Sequence, residues 1–145
     1  MKPEDVATVI SRLDGNNIPF ESGPPCPPAD LIGLEQLAGK SLPDQIPLVL
    51  SVFNGLKIHT RKLEIMPARE WQLRPNEALR FALIAERHEL VFDTRQRNQA
   101  DQWTILNAHT GYVVTVTLAS FIANKMWDWV EKGRPIWEKA GSPNA

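Results

Sequence analysis

Apolar residues along this chain fall first at helical and then at strand spacing, and the change comes at Asn54-Gly55. Val6, Val9, Ile10 and Leu13 stand at i, i+3, i+4 and i+7, Pro3 sits near the start, and Asp14-Gly15 supplies a stop; this predicts a first helix. The run LIGLEQLAGKSLPDQIPLVLSVFNG, residues 31–55, predicts two more. In the first, Leu31, Leu34 and Ala38 make one stripe, with Asp30 as the N-cap and Gly39 where a left-handed C′ residue ends a helix. In the second, Ile46, Leu50 and Phe53 share a face, Pro47 lies in the first turn where its missing N–H costs little, and Asn54-Gly55 terminates. Residues 18–29 hold five prolines and little periodicity, so they read as an extended tether.

Beyond Gly55 the period is about two. Strands are predicted over 56–60 and 63–66, parted by Arg61-Lys62; over 81–85 and 89–93, parted by Glu86, Arg87 and His88; and over 103–107 and 112–118, with Gly111 in the loop. Connections this short imply antiparallel pairing. In the last strand Tyr112, Val114, Val116 and Leu118 face one way, which makes that side apolar and gives the helices something to cover. Ser120 is the expected N-cap of a final helix with a stripe of Ile122, Met126 and Trp129, ending at Gly133 before Pro135. Ile136 and Trp137 are expected to fold back, and residues 141–145 to fray. The fold class is therefore α+β: an antiparallel sheet of about five to six strands, packed on one face by N-terminal helices and a C-terminal helix.

Composition narrows the function. A chain of 145 residues suits one domain. Sixteen basic and seventeen acidic residues give a net charge of −1, with 7 basic and 9 acidic groups among the first 70 residues, so no basic stripe exists to hold a phosphate backbone. Direct nucleic-acid binding is not expected. Cys26 is the sole cysteine, which leaves no intramolecular disulfide and fits a reducing compartment. The start, MKPEDVATVISRLDG, lacks a signal peptide's apolar region, and no apolar run reaches the roughly 20 residues a bilayer span needs. A cytoplasmic, unprocessed protein without a membrane partner is expected; charge and pattern set no oligomeric state.

Local chemistry is sparse. His88-Glu89 begins like a zinc-protease HExxH, but Phe92 stands where the second ligand belongs. His59, His88 and His109 each lack a second His or Cys at i+3 or i+4, and Cys26 lies in Pro-Pro-Cys-Pro-Pro without a nucleophile signature. There is no Gly-x-Ser-x-Gly elbow and no Gly-rich phosphate loop. No catalytic, cofactor-binding or metal residues are assigned, and Glu86, Glu89, Asp93 and Asp101 read as solvated strand ends. Five tryptophans are the stronger signal. Trp129 belongs to the final stripe, whereas Trp127 points about 200° away on an ideal helix, and Trp71 and Trp137 lie in irregular segments. Exposed Trp anchors interfaces. The expected partner-binding residues are Trp71 and Trp127, together with Arg95, Arg97 and Asp101 of the polar loop TRQRNQADQ, residues 94–102.

One set of residues carries a family resemblance: Leu34-Glu35, Gly39, Leu42-Pro43 and Asn54-Gly55, followed by LVFDT, WTILNAHTGYVVTVTLASF and the terminal SFIANKMWDWV. In order and interval they resemble the SUKH superfamily, which includes a yeast regulator of cell-wall glucan synthesis and killer-toxin resistance. The resemblance covers residues 30–130, leaving 1–29 as an N-terminal helix and Pro-rich connector and 131–145 as an extension of a single domain. It implies an α+β protein-binding domain without catalytic apparatus, foremost a bacterial immunity protein that neutralises a cognate toxin. The alternatives it leaves are a regulatory or scaffold module of cell-wall or signalling pathways, and a small-molecule or enzymatic pocket beside the sheet. The motif residues themselves read as structural: Leu42-Pro43 turns one helix into the next, and Asn54-Gly55 supplies a left-handed cap. The alternative role for Glu35 is to tie down a neighbouring helix N-terminus or backbone amide, which is still structural.

Overall fold

Three helices lead into an antiparallel sheet that a fourth helical run closes, in a computed structural model that describes residues 1–140. The fraying expected of residues 141–145 lies outside the described residues. Helix α1, Pro3–Gly15, begins with proline in its first turn and buries Val6, Val9 and Leu13; the Asp5 carboxylate accepts from the Lys2 backbone N–H at 2.8 Å. Strand β1, Phe20–Ser22, follows.

Helix α2, Pro28–Ala38, starts two residues before the expected cap. Pro27 is the N-cap, Pro28 occupies the first position, and Asp30 sits within the first turn, where its charge meets the helix N-terminus and pairs with Arg69 at 3.2 Å. Gly39 ends α2 as expected: it is left-handed (φ 72°), and the amides of Gly39 and Lys40 both donate to the Glu35 carbonyl, at 2.8 and 3.3 Å. Glu35 thus acts through its backbone, and its side chain makes no hydrogen bond or ion pair among the described residues.

Helix α3, Gln45–Leu50, carries Pro47 in its first turn but stops short of Asn54. Phe53 is fully buried from the turn after the helix, with its N–H on the Val49 carbonyl at 3.1 Å.

Among the described residues eight strands form the sheet, two more than the six predicted segments. After β1 come β2 (Leu56–Ile58), β3 (Leu63–Ile65), β4 (Gln72–Arg74), β5 (Ala78–Ile84), β6 (His88–Asp93), β7 (Ile105–Asn107) and β8 (Val113–Thr115), in the order β1-β2-β3-β5-β6-β7-β8, all antiparallel. Strand β4 shares an edge of β5 with β3: residues 78–80 of β5 pair with β4 and residues 82–84 with β3. The register shift between Arg80 and Ala82 makes the division possible, and the Phe81 carbonyl left there accepts the Met66 N–H at 2.8 Å.

The unexpected β1 lies inside the stretch read as a tether. Prolines mark that stretch as non-helical but do not bar an edge strand. Its backbone is bonded along much of its length, Gly23 N–H to the Gly55 carbonyl at 2.9 Å, Asn54 N–H to Pro24 at 2.8 Å and Cys26 N–H to Leu50 at 2.8 Å. A Cβ on Gly23 would lie 2.2 Å from the Asn54 carbonyl oxygen, so only glycine permits this approach. Cys26 is buried behind it, and burial, with the charge of Asp30 adding to it, raises its thiol pKa.

Helices and sheet share one core, in which Leu79, Phe81, Ile84, Leu90, Phe92 and Ile105 meet Val6, Leu34, Ile46 and Phe121. Phe81 stacks on Phe92 with ring centroids 4.1 Å apart. Arg80, Leu83, Glu89 and Val91 alternate onto the opposite face. Strand β8 ends at Thr115, three residues earlier than expected, and Val116 is 48% exposed because Thr117 already caps the next helix.

That terminal run corrects two further expectations. Thr117, not Ser120, is the N-cap, and its hydroxyl accepts from the Ser120 N–H at 3.0 Å. Short α-helices α4 (Leu118–Ser120) and α5 (Met126–Val130) flank a π-helical turn, Phe121–Lys125, in which the Met126 N–H reaches back to the Phe121 carbonyl. The turn inserts one residue into the stripe, which becomes Phe121, Ile122, Met126, Trp127 and Val130. Trp127 is therefore the buried indole, at 4% exposure, and Trp129 is only half-buried, the reverse of an ideal-helix projection.

Candidate functional site

Two tight turns and a returning tail bound an open cleft of about 660 Å³. The β5–β6 turn places Ala85 and Glu86 both at positive φ (54° and 61°), with the Arg87 N–H on the Ile84 carbonyl at 3.1 Å, the geometry of a type I′ hairpin. It delivers Arg87, His88 and Glu89 in succession. The β7–β8 turn delivers His109, with Gly111 at φ 77° as the sequence required. The tail arrives because Gly133 (φ 68°) ends α5 with its N–H on the Trp129 carbonyl and Pro135 prevents any continuation. Ile136 and Trp137 then fold back and are buried, as expected.

Asn107 joins the turn to the tail. Nearly buried at 5% exposure, it donates from Nδ2 to the Trp137 carbonyl at 2.8 Å and accepts at Oδ1 from the amides of His109 (2.8 Å) and Thr110 (3.3 Å). Trp137 lies parallel to the His88 imidazole, centroids 4.1 Å apart at 13°, and edge-on to Trp129 at 4.8 Å. Trp129 is itself held by its Nε1–H on the Arg61 carbonyl at 2.9 Å. The aromatic wall of the cleft is thus fixed from behind.

Charge enters from the sheet. Arg74 Nη2 donates to both Glu89 oxygens, at 2.9 and 3.0 Å, and Arg80 approaches the same carboxylate at 4.0 Å. Arg87 makes no ion pair or side-chain hydrogen bond among the described residues. Burial, and after it the charge of Arg87, lower the pKa of His88, against an opposing pull from Glu138. His88 is therefore neutral at pH 7. One oxygen of Glu138 is buried with no hydrogen-bond partner among the described residues.

Neither His88 nor His109 has a side-chain hydrogen bond to a hydroxyl or thiol among the described residues, and no three His, Cys, Asp or Glu side chains gather there to hold a metal. What the cleft offers chemically is a flat aromatic surface beside guanidinium donors. No helix among the described residues is long and apolar enough to cross a membrane.

The residues expected to bind a partner are not brought together. Trp71 is 4% exposed, with its Nε1–H on the Met66 carbonyl at 2.8 Å and its ring against Phe81 and Phe92. Trp127 sends its Nε1–H to the Ile122 carbonyl at 2.9 Å beneath Arg12, whose guanidinium sits 4.1 Å from the ring centre. Both indoles complete the core instead of standing out as surface anchors.

Arg95, Arg97 and Asp101 do share the 94–102 loop, but that loop is a clasp. Arg95 is paired with Asp93 at 2.9 Å, and Arg97 reaches the Ser41 carbonyl at 3.1 Å and Asp101 at 3.3 Å. Asn98 bonds Thr104 and Val116, and Gln102 bonds Asp44 at 2.6 Å. The loop ties the connection between α2 and α3 to the sheet. No family model matches this chain, and no curated protein matches it. Sequence reasoning missed the cleft residues Arg74, Arg87, His88, Asn107, His109 and Trp137 as a group. The one available signal was Asn107-Ala-His-Thr-Gly111, a turn built around an Asn that bonds its own backbone.

Proposed function

We propose that this chain is a non-enzymatic protein-binding domain of the SUKH type, foremost a bacterial immunity protein that docks on a cognate toxin and blocks its active site. The α+β architecture supports the reading, and so does Gly39, which caps α2 at positive φ; Gly55 is also at positive φ but lies in the turn before β2, since α3 has already ended at Leu50. The single observation that carries it is the character of this cleft. It is open, walled by a locked aromatic pair and edged by a guanidinium without a partner among the described residues, a surface suited to a protruding protein segment. Co-expression with the toxin encoded beside it tests the reading directly. Restored growth is expected, and failure to rescue from every neighbouring toxin overturns it.

A further inference from the structure

We propose that the cleft receives a carboxylate-bearing segment of the protein partner, an Asp or Glu side chain on a loop, held by Arg87 and Arg74 beside the Trp137–His88 wall. The inference rests on the protein-binding reading above and adds the sign of the partner's charge. Two guanidiniums, Arg74 and Arg87, and two carboxylates, Glu89 and Glu138, line the cleft, and a third guanidinium, Arg80, approaches Glu89 from outside the lining at 4.0 Å. Glu89 is already matched by two of the three. Arg74 uses only Nη2 on Glu89, and among the described residues its other terminal nitrogen makes no hydrogen bond and Arg87 makes neither ion pair nor side-chain hydrogen bond. Guanidinium forks with open donors select carboxylate geometry.

The two groups are neighbours by construction. Arg87 and Glu89 are two apart on one chain direction, and Glu89 is the residue that Arg74 grips. An arriving carboxylate therefore meets Arg87 beside the Arg74–Glu89 pair, against a pre-ordered wall that costs little further side-chain entropy. His109 at the opposite rim adds a second imidazole. With the chain at −1 overall, these open guanidinium donors act at short range and not through a global field. An occupant with basic side chains would find only Glu138, one of whose oxygens is inaccessible.

The test is a titration of the full chain, followed by the NMR signals of the Arg87 Nε–H, the Trp137 indole and His109, with three probes: a capped tetraglutamate peptide, a capped tetraglutamine peptide and sodium phosphate. Saturable shifts confined to the cleft, at least tenfold weaker for tetraglutamine and for phosphate, are expected, as is their loss in Arg87→Glu, a substitution at an exposed turn that leaves the core alone. Equal response to both peptides, shifts scattered over the surface, or phosphate matching tetraglutamate overturns the inference. Toxin rescue by folded Arg87→Glu equal to wild type also overturns it while leaving the immunity reading intact. Absence of rescue by wild type overturns that reading, and the peptide titration then decides the cleft alone.

Discussion

Asn107 donates its Nδ2–H to the backbone carbonyl of Trp137 at 2.8 Å, thirty residues away, and so fastens the tail to the β7–β8 turn. The same side chain accepts two turn amides, which fixes which way the amide points. Asn107→Ala leaves a buried carbonyl and two amides without this partner and is expected to cost about 1–3 kcal/mol in urea unfolding. Asn107→Asp keeps the acceptor but sets an oxygen against the Trp137 carbonyl, so it should free the tail more selectively. The NMR signal and hydrogen exchange of the Trp137 indole N–H, with the other tryptophans left in place, would report it; an unchanged signal in both variants would count against the fastening.

Trp71 and Trp127 should behave as core residues. Truncating either to Ala is expected to destabilise by about 3–5 kcal/mol, read from the denaturation midpoint, because each fills space among buried neighbours. Arg95→Ala removes only a solvent-facing pair and should leave the denaturation midpoint nearly unchanged at neutral pH. A binding defect in Trp71→Ala at preserved stability would contradict this placement.

Deleting Ala123 offers a sharper test of the π turn. Without it, the buried positions now at Phe121, Ile122, Met126, Trp127 and Val130 fall at i, i+1, i+4, i+5 and i+8, a regular α stripe. The shortened chain is expected to fold, with Trp127 still buried by fluorescence. Deleting the exposed Ala7 from α1, where no such slack exists, should misplace Val6 against Val9 and Leu13 and be far more damaging.

His88 gives the fold a pH dependence of defined sign. Its folded pKa is lowered by burial and by Arg87, so between that value and the unfolded value near 6.5 the unfolded chain holds more protons. Stability is then greatest above about pH 6.5 and falls as the pH drops through the folded value. Asp93 works within a lower window: its pKa is lowered chiefly by the hydrogen bond from Arg95, so its contribution is present above about pH 4 and lost as the pH falls through the depressed value. His88→Gln should flatten the first slope and Arg95→Ala should reduce the second, in denaturation series from pH 8 to 3.

Local punctuation was readable along the chain, and long-range registration was not. Gly39, Pro43 and Gly111 announce their turns because positive φ or a missing N–H is a property of the residue itself. Strand β1 escaped notice because its three residues gain strand character only by pairing with Lys57 and its neighbours. Trp127 and Trp129 were exchanged because one π turn shifts the phase of everything after it. The cleft was invisible for a related reason: His88 and Trp137 meet only once a hairpin and a tail, widely separated in sequence, have both been placed.

Strand β1 also alters where this domain can be cut. The stretch resembling a known family begins at residue 30, yet β1 is what covers the outer edge of β2. A fragment spanning 30–130 would bare the backbone of Leu56-Lys57-Ile58 to any passing chain and, lacking Trp137, uncover the flank of His88 as well. Such a piece would be sticky and not minimal. The flanks act as the hem of this sheet, and a useful boundary lies outside them.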